Sequence, residues 1–346
     1  MKTFIVFAVS LLVTYFAIPL LRKLALRFEI VDYPGGRKVH KQVTPLLGGV
    51  GVFLGLIIGL IFYSSDLRSF LIILIGASMI FLIGLVEDIR GLKAQTRFIL
   101  QLIAAVIVIS NGIRVSFMPE TILGDIAEIL ITCIWIIGVT NAYNYLDGLD
   151  GLAAGSAVIN LFFFGVILYN TGQFPTGLLA VALIGACLGF LPYNFRKEKI
   201  FLGEAGSTLL GFTLACLSIE GHWAQDNLVK LFIPVLVLGV PIFDMIFTTI
   251  MRIRDGKVKT ILQWLQYGGR DHFHHYLVDI GLSPFWAVVF IYFITASLGI
   301  AGFMVSNDSV LEGLLSLSQA AIIFGVIATI IVVGKRRRSG WMRDKS

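Results

Sequence analysis

Apolar runs of near-membrane-spanning length recur along the whole chain, at about residues 3–22, 46–64, 69–86, 98–112, 126–141, 152–170, 175–192, 205–220, 230–250, 284–304 and 313–334. A bilayer core takes roughly 20 apolar residues per helix, and only helices and closed barrels satisfy their backbone polar groups in lipid. Barrel strands would appear as shorter segments of alternating polarity. The pattern therefore predicts an all-α fold: a polytopic transmembrane helical bundle of about 11 spans. A hydrophobic content of 57%, a charged content of 14% and a mean hydropathy of +0.91 exclude a soluble globular chain. No repeat or linker divides the runs, so residues 1–346 are read as one domain. The first run lacks a small-x-small cleavage site before Arg22 and Lys23 and is expected to remain as an uncleaved span.

The basic residues orient the bundle. With the N-terminus outside, all 27 Lys and Arg residues except Lys2, Arg68, Arg114 and Lys230 fall on cytoplasmic stretches, as the positive-inside rule requires. An odd number of spans then puts the C-terminal tail in the cytoplasm. The net charge of +6 is spread over short loops beside the membrane and is not gathered on a soluble face, which argues against nucleic acid. Anionic lipid and an anionic substrate are the expected partners. Cys133, Cys187 and Cys216 lie within apolar runs without metal-site or disulfide spacing and read as buried small hydrophobes.

Acidic, amide and histidine residues crowd the cytoplasmic stretches EDIRG (87–91), NAYNYLDGLDG (141–151), PYNFRKEKIFLGEAGS (192–207), PIFD (241–244) and GGRDHFHH (268–275). The external loops carry only generic polar turns. Asn144, Asp147 and Asp150 are spaced by three and would line one face of a helical turn, with Gly148 and Gly151 allowing close approach of a phosphate-bearing ligand. Glu204 opens a helix whose N-terminal amides favour anions, and its carboxylate suits a hard cation such as Mg²⁺. Asp244 sits in or at the end of an apolar run, where an ionisable group costs about 2.5–3.5 kcal/mol at mid-membrane. Arg270, His272, His274 and His275 offer phosphate ligands, a proton carrier or metal ligands. Carboxylates with a divalent cation and cationic clamps are what phosphoryl transfer needs, because its catalysis is mostly positioning and charge neutralisation.

In order along the chain, the stretches DYPGGRKVHKQVTPLLGG (32–49), GLVEDIRGL (84–92), NAYNYLDGLDGLAAG (141–155), LPYNFRKEKIFLGEAGS (191–207), PIFDMIFTTIMRIRDG (241–256) and RDHFHH (270–275) closely resemble the motifs of the polyprenyl-phosphate N-acetylhexosamine-1-phosphate transferase family. The pattern looks like the branch that initiates O-antigen, enterobacterial common antigen and teichoic acid synthesis. The resemblance implies a multi-pass enzyme of the bacterial cytoplasmic membrane. Such an enzyme moves a sugar 1-phosphate, N-acetylglucosamine 1-phosphate by preference, from a UDP-sugar to undecaprenyl phosphate with Mg²⁺ or Mn²⁺ and releases UMP. It also implies roles. Glu87 and Asp88 would bind or deprotonate the lipid phosphate, and Asp147 and Asp150 would join the catalytic set with His272, His274 and His275. Asn144 and Glu204 would hold the metal. Lys41, Asn194, Phe201, Asp244 and Arg270 would bind substrate, Phe201 by stacking on uracil. A homodimer is the expected assembly.

Three departures stand out within that resemblance. The family usually has two aspartates where this chain has Glu87 and Asp88, and FxGD where it has FLGE ending at Glu204. The Asp that usually precedes the Arg270 histidine run is Gly269 here. The rival readings are a phospho-MurNAc-pentapeptide transferase, a nucleotide-sugar or lipid transporter with polar groups near mid-membrane, and a catalytically inactive scaffold.

Overall fold

The computed structural model describes residues 1–34, 42–61, 68–196, 199–260, 263–264, 267, 269–306 and 310–343. Among these residues the fold is helical, with one two-residue antiparallel pair. In chain order the elements are α1 (Lys2–Arg27), β1 (Val31–Asp32), β2 (Thr44–Pro45), α2 (Gly48–Ile61), α3 (Arg68–Arg90), α4 (Ala94–Ser110) and α5 (Ile122–Leu146). They continue with α6 (Leu152–Asn170), α7 (Phe174–Asn194), α8 (Gly203–Glu220), α9 (Asn227–Val237), α10 (Gly239–Arg254), α11 (Phe273–Asp279), α12 (Pro284–Val305) and α13 (Val310–Arg343). Val31 pairs with Pro45 and Asp32 with Thr44.

Every predicted apolar run corresponds to helix. Among the described residues, seven helices are long and apolar enough to cross a bilayer: α1, α3, α5, α6, α7, α12 and α13. The run at 230–250, expected as one span, is instead two helices, α9 and α10, bent by 75°. Pro241 explains the break. A proline ring clashes with the carbonyl four residues back, here that of Val237, and the missing N–H is tolerated in the first turn of a new helix. α2 and α4 are apolar but shorter.

α8 is less apolar than its neighbours because protein and not lipid surrounds it. Its residues from Ala205 to Ser218 are buried, and its hydroxyls return to its own backbone: Ser207 to Gly203 O at 2.9 Å, Thr208 to Glu204 O at 2.6 Å and Thr213 to Leu209 O at 2.8 Å. A polar group in an apolar medium stays only where its hydrogen bond is made. α1 meets α7 closely at Gly185 and Gly189, where an added methyl would strike the α1 backbone. Small residues of this kind let membrane helices approach without a hydrophobic driving force.

The chemistry-bearing residues gather at one end of the bundle, where α3, α5 and α7 finish and α2, α6 and α8 begin. Three backbone bonds bind this end together: Phe201 N to Pro45 O at 2.8 Å, Gly48 N to Phe201 O at 3.0 Å and Gly49 N to Leu202 O at 2.8 Å.

Candidate active site

A cleft of about 610 Å³ opens at that end, within the range of small-molecule sites. The end of α3 supplies Glu87 and Asp88, and α5 with its following turn supplies Asn144, Asp147 and Asp150. Lys199 and Phe201 come from the segment before α8, Glu204 and Ser207 from α8, and His275 from α11. The sequence motifs therefore converge although they lie more than a hundred residues apart.

Asp88 fastens α3 to the start of α8. Its two carboxylate oxygens accept the N–H groups of Glu204 at 2.9 Å and Ala205 at 3.0 Å, two donors that a helix start leaves without intrahelical partners. Negative charge here also complements the helix dipole. The approach needs Gly203, whose φ is +76° and whose missing side chain would lie 2.6 Å from Asp88 Oδ2 and 2.7 Å from Leu46 O. Gly203→Ala is expected to destabilise the protein by about 1–2 kcal/mol from the left-handed backbone alone, with the collision at Asp88 adding to it. An unchanged melting temperature in detergent would contradict this.

The acidic groups differ in their partners. Glu204 Oε2 lies 3.1 Å from Arg97 Nη1 and accepts from Asn144 Nδ2 at 2.7 Å. Asp150 is paired with Lys199 at 2.8 Å, and that ammonium also sits 5.0 Å from the Phe201 ring centre. Asp147 accepts no hydrogen bond among the described residues. Burial, followed by the charges of Glu204, Asp88 and Asp150, holds its carboxyl well above the usual carboxylate range.

Asn194 is engaged in both directions, accepting from Gly151 N at 2.5 Å and donating to Ile200 O at 2.9 Å. Its buried amide sets the distance between the Asp150 turn and the Lys199–Phe201 segment.

The histidines divide. His275 lines the cleft, and burial together with the nearby His272 and Arg270 pushes its ring down to about 4. It is therefore neutral at pH 7 and able to accept a proton, and it is not a standing cation for phosphate. His274 is fully buried with both ring nitrogens lacking a hydrogen-bond partner among the described residues, and burial likewise lowers its basicity. Its ring occupies the space that a side chain at Gly148 would need.

His272 belongs to a buried network behind the cleft. Arg252 Nη2 reaches His272 Nε2 at 3.1 Å, and His272 Nδ1 meets Asp244 Oδ2 at 2.9 Å. Arginine only donates, so Nε2 accepts and the Nδ1 N–H donates to the Asp244 carboxylate. Asp244 also accepts the Phe273 N–H at 2.5 Å, and Arg252 clasps Asp271 through Nε at 3.1 Å and Nη2 at 2.7 Å. Asp244, predicted to bind substrate, thus anchors α11 to α10. Arg270 is exposed outside the cleft lining, and Lys41 lies outside the described residues.

In the sequence Arg97 and Arg252 read only as topology charges, Lys199 as one cation of the stretch 192–207, and Asp271 carries no assigned role. The position of Asp271 inside the histidine run was the one available signal. No three His, Cys, Asp or Glu side chains among the described residues converge closely enough to hold a metal unaided.

Residues 70–222 match the family model described as Glycosyl transferase family 4. The chain is 33% identical over 334 residues to the probable undecaprenyl-phosphate N-acetylglucosaminyl 1-phosphate transferase of Bacillus subtilis (strain 168), covering 94% of this chain and 91% of that protein. It is 35% identical over 317 residues to the decaprenyl-phosphate N-acetylglucosaminephosphotransferase of Mycobacterium tuberculosis (strain ATCC 25618 / H37Rv), covering 81% of this chain and 77% of that one. The undecaprenyl-phosphate alpha-N-acetylglucosaminyl 1-phosphate transferase of Yersinia pestis is 26% identical over 292 residues, with 81% and 78% covered.

Proposed function

The chain belongs to the polyprenyl-phosphate N-acetylhexosamine-1-phosphate transferases of glycosyl transferase family 4, and on that premise we propose that it transfers N-acetylglucosamine 1-phosphate from UDP-N-acetylglucosamine to undecaprenyl phosphate, releasing UMP. The observation that carries this reading is the single cleft in which Asp88, Asp147, Asp150 and Glu204 meet Lys199 and Phe201. With a divalent cation between the carboxylates and the phosphates, the cleft would suit a diphosphate bearing a flat base.

In the direct route a phosphate oxygen of the lipid attacks the β-phosphorus of the nucleotide sugar. A new P–O bond forms, the bond from that phosphorus to the bridging oxygen breaks, and UMP carries away the electron pair. Asp88 is the proposed group that receives or orients the lipid phosphate, and Phe201 the platform for the uracil ring. Lys199 is held by Asp150 within reach of the diphosphate.

The carboxylate chemistry fits Mg²⁺, which takes one or two carboxylates together with substrate phosphates. Asp147, which accepts no hydrogen bond among the described residues, and Asp150 are the residues we assign to it, with Glu204 and Asn144 beside them. When bound, the ion would neutralise charge on the diphosphate.

The membrane arrangement proposed with this function is eleven spans in one domain, with the N-terminus outside and the cleft and tail facing the cytoplasm. The bacterial cytoplasmic membrane is the proposed location. Placing the polar groups at the bundle end supports an enzyme over a transporter with mid-membrane sites.

UMP release by protein purified in detergent, with undecaprenyl phosphate, Mg²⁺ and a panel of UDP-sugars, tests the proposal. Release is expected with UDP-N-acetylglucosamine and only when lipid is present. A preference for UDP-MurNAc-pentapeptide would replace the sugar assignment, and silence with every donor in folded protein would overturn the enzyme. UMP formed in a single turnover without lipid would favour a covalent intermediate over direct attack.

A further inference from the structure

Glu87 on α3 and Glu204 on α8 meet on one guanidinium. Arg97 Nη1, from the first turns of α4, is 3.5 Å from Glu87 Oε1 and 3.1 Å from Glu204 Oε2. The side chains are 29%, 17% and 30% exposed for Arg97, Glu87 and Glu204, so solvent screens them incompletely. Among the described residues Glu87 Oε2 is buried with no hydrogen-bond partner, and Arg97 is the one cation that pairs with this residue. On the other side of the pair, Asn144 donates to the same Glu204 oxygen that Arg97 holds.

The backbones that carry the two glutamates cannot drift apart, because Asp88, next to Glu87, accepts the Glu204 N–H. Side-chain reach therefore decides whether both carboxylates touch Arg97. Aspartate at either position would draw its carboxylate back by about 1.5 Å, one carbon–carbon bond, and open the contact.

We propose that Arg97 is a positioning residue, the shared counter-ion that makes Glu87 and Glu204 one unit and holds Glu204 on Asn144 at the cleft wall. The unit rests on the transferase reading of the same cleft. Without Arg97 the two carboxylates repel each other and Glu204 swings away from Asn144. Once the charge of Glu87 is also removed, the repulsion goes and Glu204 returns. This sign separates the proposal from direct contact between Arg97 and substrate, in which removing Glu87 would restore nothing.

The test is a cycle of wild type, Arg97→Gln, Glu87→Gln and the double variant, read by steady-state kinetics and by melting temperature in detergent. Arg97→Gln is expected to lower kcat about tenfold or more, with a smaller change in the KM for the nucleotide sugar. Adding Glu87→Gln is expected to recover at least about threefold of that loss, since coupled residues behave non-additively. The melting temperature should fall in Arg97→Gln and rise again in the double variant. A double variant no better than Arg97→Gln in both readouts overturns the proposal. Should wild type release no UMP, the transferase reading fails by itself, and the melting cycle, which needs no turnover, still decides the fate of the charge unit.

Discussion

Asp88→Asn is expected to reduce lipid-dependent UMP release by about 10²–10⁴-fold, the range associated with losing a positioned acid–base group, while leaving the protein folded. The substitution preserves size but not function on either side of the residue. The carboxylate takes two backbone donors, from Glu204 and Ala205. An amide has one oxygen to offer, so its NH₂ would face a second N–H that it cannot accept. The loss of one capping bond costs about 1–2 kcal/mol, a modest fall in melting temperature. The loss of a negatively charged acceptor at the cleft removes the group assigned to the lipid phosphate. Activity within tenfold of wild type, in protein whose melting temperature falls by the modest amount expected, would remove Asp88 from the mechanism and leave it a helix-fastening residue. A large fall in both would show that its structural bonds dominate.

The second large effect lies behind the cleft. Asp271→Ala is expected to destabilise the region joining α10 to α11 by about 3–5 kcal/mol, because removing one member of a buried ion pair strands the other. Arg252 is only 2% exposed and is clasped by both oxygens of Asp271. It retains His272 Nε2 as an acceptor, but no charge within the pair to balance its own. Burial alone would raise the Asp271 carboxyl, yet the Arg252 bond and charge hold it below the usual carboxylate range. Its contribution to stability is therefore complete above the unfolded-state value of about 3.9 and is lost as pH falls through the lowered folded value. Faster proteolysis between Arg254 and Asp279, with a lower melting temperature, is the expected outcome. Equal proteolysis rates would mean that Phe273, held by Asp244, docks α11 without help from the pair.

Much of the site was legible because its motifs pair unlike requirements within a few residues. Asn144, Asp147 and Asp150 stand at spacings of three beside glycines, and Glu204 stands at the start of an apolar helix. Patterns of that kind have few uses other than holding charge near backbone amides. The histidine run was legible as chemistry but not as geometry. Three residues of one type within four positions turned out to occupy three environments: a buried anchor, a buried ring without a hydrogen bond among the described residues, and a cleft wall. Side-chain direction on the short α11, and what α10 places opposite it, made that division.

The sequence by itself determined the class of fold and its charge asymmetry. Apolar run length and the placement of lysine and arginine are properties of single segments, and lipid punishes any departure from them. It also determined which carboxylates were candidates, since those occur in local patterns. The tertiary structure alone decided the 75° break that splits one apolar run into α9 and α10, the burial that lets α8 be less apolar than its neighbours, and the partner of every charge. Arg97, Lys199 and Arg252 look alike in a sequence because a cation near the membrane serves topology wherever it stands. Its second role depends on which carboxylate lies within about 4 Å of it, and the chain sets that distance only when α3, α4, α5 and α8, and for Arg252 α10 with the segment before α11, have packed together.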